Sequence, residues 1–187
     1  MGRDEPYGWT FMMTLGWMAV AWSDLGIQRI FLPQASAGLA GQDLEEAGVT
    51  VRPGAGHPAL EAAVAGWERG DDSGLLSLTL HPRVWGPPGF RRRVLEELRR
   101  VGRGRVQSYA GLARAAGSAR AARAAGNVCA SNPVPLLIPC HRVIASSGEL
   151  GGFMGRPGNL ILKAALLERE GVPVMRGKVG REFWGGR

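Results

Sequence analysis

Cys140 and its neighbours are where this sequence can do chemistry. The run Asn132-Pro133-Val134-Pro135-Leu136-Leu137-Ile138-Pro139-Cys140-His141-Arg142-Val143-Ile144 sets a thiol, an imidazole and a guanidinium side by side after three prolines. Proline fixes φ and withholds a backbone donor, so these prolines stiffen the chain as it crosses an apolar stretch. Pro139 suits the first position of a helical turn. Cys140 is then expected at the positive end of the peptide dipoles, where a thiol pKa falls. The thiolate is the nucleophilic form, and a cysteine beside a base and a fixed positive charge is set up for covalent chemistry. A Cys-His pair by itself reads as a buried core pair. The whole Pro-Cys-His-Arg-Val run, closing an apolar segment, reads as a reactive site.

The second thiol, Cys129, lies eleven residues earlier in an Ala-rich segment and reads as a small packing residue. Two cysteines in 187 residues do not make a disulfide scaffold and fit a reducing compartment. His57, His81 and His141 are scattered and there is no CxxC pair, so no zinc or other metal site is expected. No cofactor is implied.

The elements that must position Cys140 are mainly helical. Phe90, Val94, Leu95, Leu98 and Val101 form one apolar face, with Arg91, Arg92, Arg93, Arg99 and Arg100 on the other, which reads mostly as a solvated basic face. Ser108 can cap a helix that Gly117 ends. Ser118 is then expected to cap a second, from Ala119 to about Ala130. Two short helices separated by one glycine carry the helix-turn-helix pattern. Before them, Pro82, Pro87 and Pro88 make 81–89 a stretch expected to hold neither helix nor central strand.

The first half reads as a small α/β unit. Phe11 to Trp22 and Ile27 to Leu32 are expected to be two strands joined by a tight turn at Ser23-Asp24-Leu25-Gly26. A Gly/Ala-rich loop follows. A helix is expected from about Pro58 to Arg69, with Leu60, Ala63, Val64 and Trp67 on one face, and a strand over Leu75–Leu80. The fold expected is thus an α/β N-terminal domain of a small sheet plus helix over 1–84. A mainly α, helix-turn-helix, winged-helix-like domain over 85–187 carries the reactive cysteine. Phe11 to Trp22 is apolar, but Arg3 is matched by Asp4 and Glu5, so the segment lacks the positive start of a signal peptide.

The charge balance is basic: 23 Lys plus Arg against 16 Asp plus Glu, a net +7. Only Lys163 and Lys178 are lysines. Arginine's planar fork suits phosphate, which suggests a nucleic-acid partner. A GC-rich genome would enrich arginine equally well, and charge alone leaves the two open.

The run from Asn132 to Ile144 resembles the active-site signature of the O6-alkylguanine-DNA alkyltransferase family. Ser108-Tyr109 is similar to the start of that family's helix-turn-helix, Gly148 to Gly155 to its Gly-rich loop, and Leu166-Leu167-Glu168-Arg169-Glu170-Gly171 to its closing helix. The resemblance is strong over about residues 90–171 and looser over the first 80.

It implies repair of DNA by direct reversal: stoichiometric, irreversible transfer of an alkyl group from O6-alkylguanine, less so O4-alkylthymine, to Cys140. It implies that His141 deprotonates Cys140 through a water, oriented by Glu170, with Glu168 the surface alternative. It further implies that Asn132 braces the turn and that Tyr109 donates to the leaving base. A pocket of Val143, Gly152, Phe153 and Met154 would read the guanine. The partner implied is duplex DNA bound in the minor groove with the nucleotide flipped out. Arg123 would fill the gap, and Arg120, Ser118, Tyr109 and Arg142 would contact the DNA. A cytoplasmic monomer is implied. The sequence departs from the family in lacking a proline within 101–105, in placing Met154 where a smaller residue is common, and in an apparent insertion over Arg156–Asn159, which bears on alkyl-group preference. Two other readings stand beside this one: a multiple-turnover Cys-His-Glu hydrolase, and a sensor of alkylated DNA, although such sensors replace the cysteine, commonly by tryptophan.

Overall fold

The computed structural model describes residues 4–52, 54, 56–154 and 159–185. The chain divides into two compact units, Met1–Val84 with Pro133–Leu137, and Trp85–Asn132 with Ile138–Arg187.

The first unit is built on an antiparallel sheet of three strands in the order β1-β2-β3: β1 Tyr7–Met13, β2 Gly16–Ser23 and β3 Gly26–Gln34. The apolar run from Phe11 to Trp22, expected as one strand, is therefore two. The break falls at Thr14-Leu15, before Gly16, whose φ of +129° and whose closeness to the Gln34 carbonyl leave no room for a side chain. The run conceals this turn because β2 is the central strand and buries both parities, Met18 and Val20 as well as Ala19 and Ala21.

Where a loop was expected, α1 runs Ala37–Glu46. Ser36 caps it by accepting from the Leu39 N–H, and Ala40 and Leu44 pack on Ala19 and Ala21. Helix α2, Pro58–Glu68, buries Leu60, Ala63, Val64 and Trp67, the face expected from their spacing. The strand expected over Leu75–Leu80 is instead a short helix, α3 Ser73–Ser77, followed by a single bridge from Leu80 to Ile27. The alternation over Leu76–Leu80 suggests a strand, but so few residues do not let period separate the two outcomes. The proline-rich 81–89 stretch also holds one helical turn, α4 Pro82–Trp85, because proline is tolerated at a helix start. Pro133–Leu137 joins this unit although it precedes Cys140 in sequence: Ile30 on β3 donates its N–H to the Pro133 carbonyl at 2.9 Å.

The second unit contains α5 Phe90–Arg99, β4 Gln107–Ser108, α6 Tyr109–Ala115, α7 Ala122–Ala130, a 3-10 turn Cys140–Arg142, β5 Val143–Ile144, α8 Asn159–Arg169, and a small hairpin of β6 Val174–Met175 and β7 Lys178–Val179. α5 buries Val94, Leu95 and Leu98, and Arg93 donates to the Ala116 carbonyl at the end of α6. Strands β4 and β5 pair in parallel, so Ser108 at the start of α6 lies opposite Ile144, just after the Cys140 turn. A core of Val106, Ile144, Leu150, Leu167, Val172 and Val179 fixes α8 behind that turn. Among the described residues no helix is long and apolar enough to cross a membrane.

Candidate active site

Helix α6 begins as its sequence asks: Ser108 Oγ accepts the Gly111 N–H at 2.9 Å, and Gly117, at φ +81°, follows its last turn. α7 begins later than expected, at Ala122 rather than Ala119. Ser118 does not cap it; the cap position is Ala121, with no side-chain bond. Residues 118–121 form a turn, and Arg120 is exposed on it rather than on the helix. Arg123, one turn-position later, is exposed at the mouth of a cavity of about 510 Å³. This cavity is walled by Tyr109, by α7 through Ala122, Arg123, Gly126, Asn127 and Ala130, and by Gly152, Phe153 and Met154, with Cys140 on its lining. That volume falls within the ~300–1,000 Å³ typical of small-ligand sites.

Cys140 is only 2 % exposed. Its Sγ lies 3.7 Å from Met154 Sδ, and Met154 has the left-handed φ of +49°. The sequence led us to expect a lowered thiol pKa from helix dipoles. The structure reverses this: burial raises it, opposed by the Asn132 side chain, the Lys163 charge and the backbone N–H groups of Cys140 and His141. A three-residue turn aligns too few peptides to outweigh desolvation. Asn132, itself buried, donates Nδ2–H to the Ile138 carbonyl at 2.6 Å and so ties the chain ahead of the turn.

His141 is fully buried, and its Nε2 lies 3.0 Å from Glu170 Oε1. Burial holds its pKa below the ordinary value, with Glu170 acting the other way. The neutral ring therefore donates Nε2–H to the carboxylate, which leaves Nδ1 as its acceptor. Nδ1 is buried, and among the described residues no protein group bonds to it. Glu170 directly follows α8, whereas Glu168 is exposed.

Arg142 was expected against DNA, and the structure overturns this. Its side chain is 4 % exposed, its Nε and Nη2 donate to Glu170 Oε2 and Oε1 at 2.8 and 2.7 Å, and its Nη1 donates to the Val101 carbonyl at 2.6 Å. A fork held by a buried carboxylate cannot also reach a phosphate. Burial opposes the charge on Glu170, but the His141 ring and the Arg142 guanidinium more than offset it and hold the carboxyl well below the usual range.

Tyr109 donates its hydroxyl to the Gly152 carbonyl at 3.2 Å. Burial, with the two cysteines adding to it, pushes its phenol far up, so the group stays a neutral donor. Gly151 lies against this ring: a Cβ there would stand 3.1 Å from Tyr109 Cε2, and its φ is +67°. Val143 and Phe153 are both buried. The apparent insertion at Arg156–Asn159 lies, but for Asn159, outside the described residues.

The sequence reading passed over Lys163. It is fully buried on α8, and its Nζ donates to the carbonyls of Val143, Leu150 and Gly152 at 2.5, 2.6 and 3.0 Å. The signal was available. Lys163, Leu166, Leu167 and Glu170 recur at the spacing of one helix face, and two charges within an apolar stripe mark a buried polar site. Among the described residues no cluster of His, Cys, Asp and Glu could hold a metal ion.

Residues 89–172 match the family model described as 6-O-methylguanine DNA methyltransferase, DNA binding domain. The methylated-DNA--protein-cysteine methyltransferase of Rattus norvegicus is 46% identical over 101 residues, 54% of this chain and 47% of that protein. The chain thus spans about half the length of the curated relatives it matches. Among solved structures, the Mycobacterium tuberculosis O6-methylguanine methyltransferase superposes with a TM-score of 0.68 at 26% identity, covering 89% of this chain and 92% of that one. The Mycobacterium tuberculosis OGT solved in complex with DNA gives 0.67 at 26% identity, covering 88% and 92%.

Proposed function

We propose that this chain, whose residues 89–172 match the family model of the 6-O-methylguanine DNA methyltransferase DNA binding domain, repairs alkylated DNA by taking the alkyl group onto Cys140, once per molecule. The observation that carries the reading is the setting of Cys140: a thiol on the lining of a cavity with room for a base, followed directly by a histidine whose far nitrogen is pinned to a buried carboxylate.

In this reading each step falls to a group. Because burial keeps the thiol protonated at rest, it must lose its proton before or during attack. His141 Nδ1 is the acceptor for that proton, through a water; Glu170 fixes the tautomer and stabilises the imidazolium that forms. Glu170 can do this because Arg142 holds it ionised. The Cys140 sulfur then attacks the alkyl carbon in line. The C–S bond forms as the C–O6 bond breaks, and the electron pair leaves with the guanine. Tyr109 is the donor to that departing base, and its high pKa keeps its proton available. Asn132 braces the turn that holds Cys140.

The target atom is buried in a stacked duplex, so the nucleotide must be flipped out, at a cost of a few kcal/mol. Arg123, exposed at the cavity mouth, is the residue to fill the gap, with Arg120 and Ser118 on the turn before α7 beside the backbone. The net charge of +7 supports a polyanion partner whose affinity falls with salt. The product thioether has no thiol-exchange route back, so the protein is spent after one transfer. It needs no cofactor and works as a monomer in the reducing cytoplasm.

Intact-mass spectrometry after mixing with an oligonucleotide carrying one O6-methylguanine tests this. A gain of one methyl mass on Cys140, absent in Cys140→Ser, is expected. Tight lesion binding without a mass gain would instead make the protein a sensor, and turnover of ester substrates without lesion binding would make it a hydrolase.

A further inference from the structure

We propose that the β6–β7 hairpin is the positioning element of the loop that walls the cavity, and that its Arg176-Gly177 turn sets how well that loop receives the damaged base. That a base enters there rests on the alkyl-transfer reading above; how the loop is held rests on geometry alone. Residues 145–154 line the cavity at both ends, through Ala145 and Ser146 and again through Gly152, Phe153 and Met154. The middle of this loop, Gly148 to Leu150, turns to β7 instead. Val179 donates its N–H to the Gly148 carbonyl at 2.9 Å, and Leu150 donates its own to the Gly177 carbonyl at 3.2 Å. Between them, Glu149 forms an antiparallel bridge with Lys178. β7 is thus flanked by β6 on one side and by the loop on the other. The hairpin lies past residue 172, where the family match stops.

The loop needs such a hold. Gly148, Gly151 and Gly152 follow one another closely in it, and glycine loses more backbone freedom on ordering than any other residue. Gly148 fits against β7 at a φ of +90°, where a Cβ would stand 3.2 Å from the Val179 carbonyl oxygen. Leu150 is the joint. Its N–H goes to the hairpin, its carbonyl accepts from Lys163 Nζ at 2.6 Å, and its side chain is buried in one cluster with Val179. One residue on, Gly151 lies against the Tyr109 ring, and the next carbonyl, of Gly152, takes the Tyr109 hydroxyl. A shift at Leu150 therefore reaches the cavity wall within two residues. The hairpin itself closes through two residues, Arg176 at φ +51° and Gly177 at φ +76°. Two positive φ values mark a type I′ turn, which favours Asn-Gly or Gly-Gly. Arg176 therefore holds a conformation its side chain disfavours. Neither turn residue is on the cavity lining, so the turn tunes the loop without touching what the cavity holds.

Amide hydrogen exchange reads the hold without DNA. In the intact protein the Leu150 and Val179 N–H groups are expected to exchange slowly and together. Gly177→Val forces a β-branched residue to positive φ and is expected to speed both by ~10-fold or more. Arg176→Asn gives the turn the residue it favours and is expected to slow both. Exchange at Leu150 that neither variant moves overturns the proposal. The second readout is single-turnover transfer from a duplex carrying O6-methylguanine. Gly177→Val is expected to raise the half-saturating concentration of that duplex about as much as it speeds exchange, with the methyl groups taken up per molecule unchanged. A purely structural role would instead lower that count and leave half-saturation in place, an outcome that contradicts the proposal. Weaker binding of undamaged duplex in Gly177→Val would make the hairpin a DNA contact, which also overturns it. If Gly177→Val does not fold, Arg176→Asn decides: its exchange rate and its half-saturation are both expected to fall. A protein that methylates nothing sinks the alkyl-transfer reading, while slow, coupled exchange at Leu150 and Val179 stands without it.

Discussion

The two units bury their side chains differently. Among the described residues, the first buries only Ser23 and His81 as polar side chains, beneath an otherwise apolar core of Leu44, Leu60, Val64, Trp67 and the β2 residues. The second buries Ser108, Asn132, His141, Arg142, Lys163 and Glu170, four of them ionisable in the range where proteins work or permanently charged. A packed apolar core stabilises through area and shape. Buried charges rarely stabilise on balance, and they persist where every member is paired and the arrangement serves something besides folding. The family match, over 89–172, falls in the second unit apart from the Pro133–Leu137 segment of the first. The first unit can vary in sequence as long as its apolar volume and periodicity are kept.

The sharpest break of this contrast is Glu170→Gln. It keeps the shape but strips the counter-charge from a buried Arg142, so a loss of about 3–5 kcal/mol is expected by urea unfolding. Methyl transfer should fall at least ~100-fold, the usual worth of a positioned acid–base pair. Leu44→Ala in the first unit is expected to cost about 2–5 kcal/mol through lost burial and a cavity. It should leave the pH profile of Cys140 alkylation unchanged; a shifted profile would show that the units are not separable in this sense.

Acid should then separate the contributions. The folded pKa values of His141 and Glu170 are both depressed, so what they add to stability is present above their unfolded values of ~6.5 and ~4.3 and is lost as the pH falls below each. Stability is expected to decline from pH 7 downward in two stages, and Glu170→Gln should flatten the lower stage in a denaturant series. Arg123→Ala is the smallest change. As an exposed residue it should alter stability by less than ~0.5 kcal/mol, yet weaken lesion-DNA binding and slow transfer in a salt titration, where a pure surface residue would do neither.

The sequence made the chemistry more legible than the scaffold. Cys140, His141, Asn132 and Tyr109 stand on a short, rigid, proline-marked run or beside a serine cap, so local rules suffice to locate them. Helix α2 and the apolar face of α5 follow from period alone. Helix α1 was hidden because Ala-Gly-Leu-Ala-Gly has low helix propensity and forms by packing Ala40 and Leu44 on the sheet. The turn at Thr14-Leu15 was hidden because a central strand buries both faces and shows no alternation.

Charged residues were the least legible. Arg142 is written like any surface cation, and nothing local separates it from Arg92, which pairs with Glu96 in solvent. The sequence by itself determined which atoms can react, the thiol and imidazole delivered by Pro139-Cys140-His141, because covalent stiffness acts over a few residues. Only the tertiary structure decided that Arg142 grips Glu170 rather than DNA, that burial pushes the Cys140 thiol up, and which carbonyls the Lys163 ammonium meets. These depend on desolvation and on charges brought together across 20 to 30 residues of chain, and no local pattern records them.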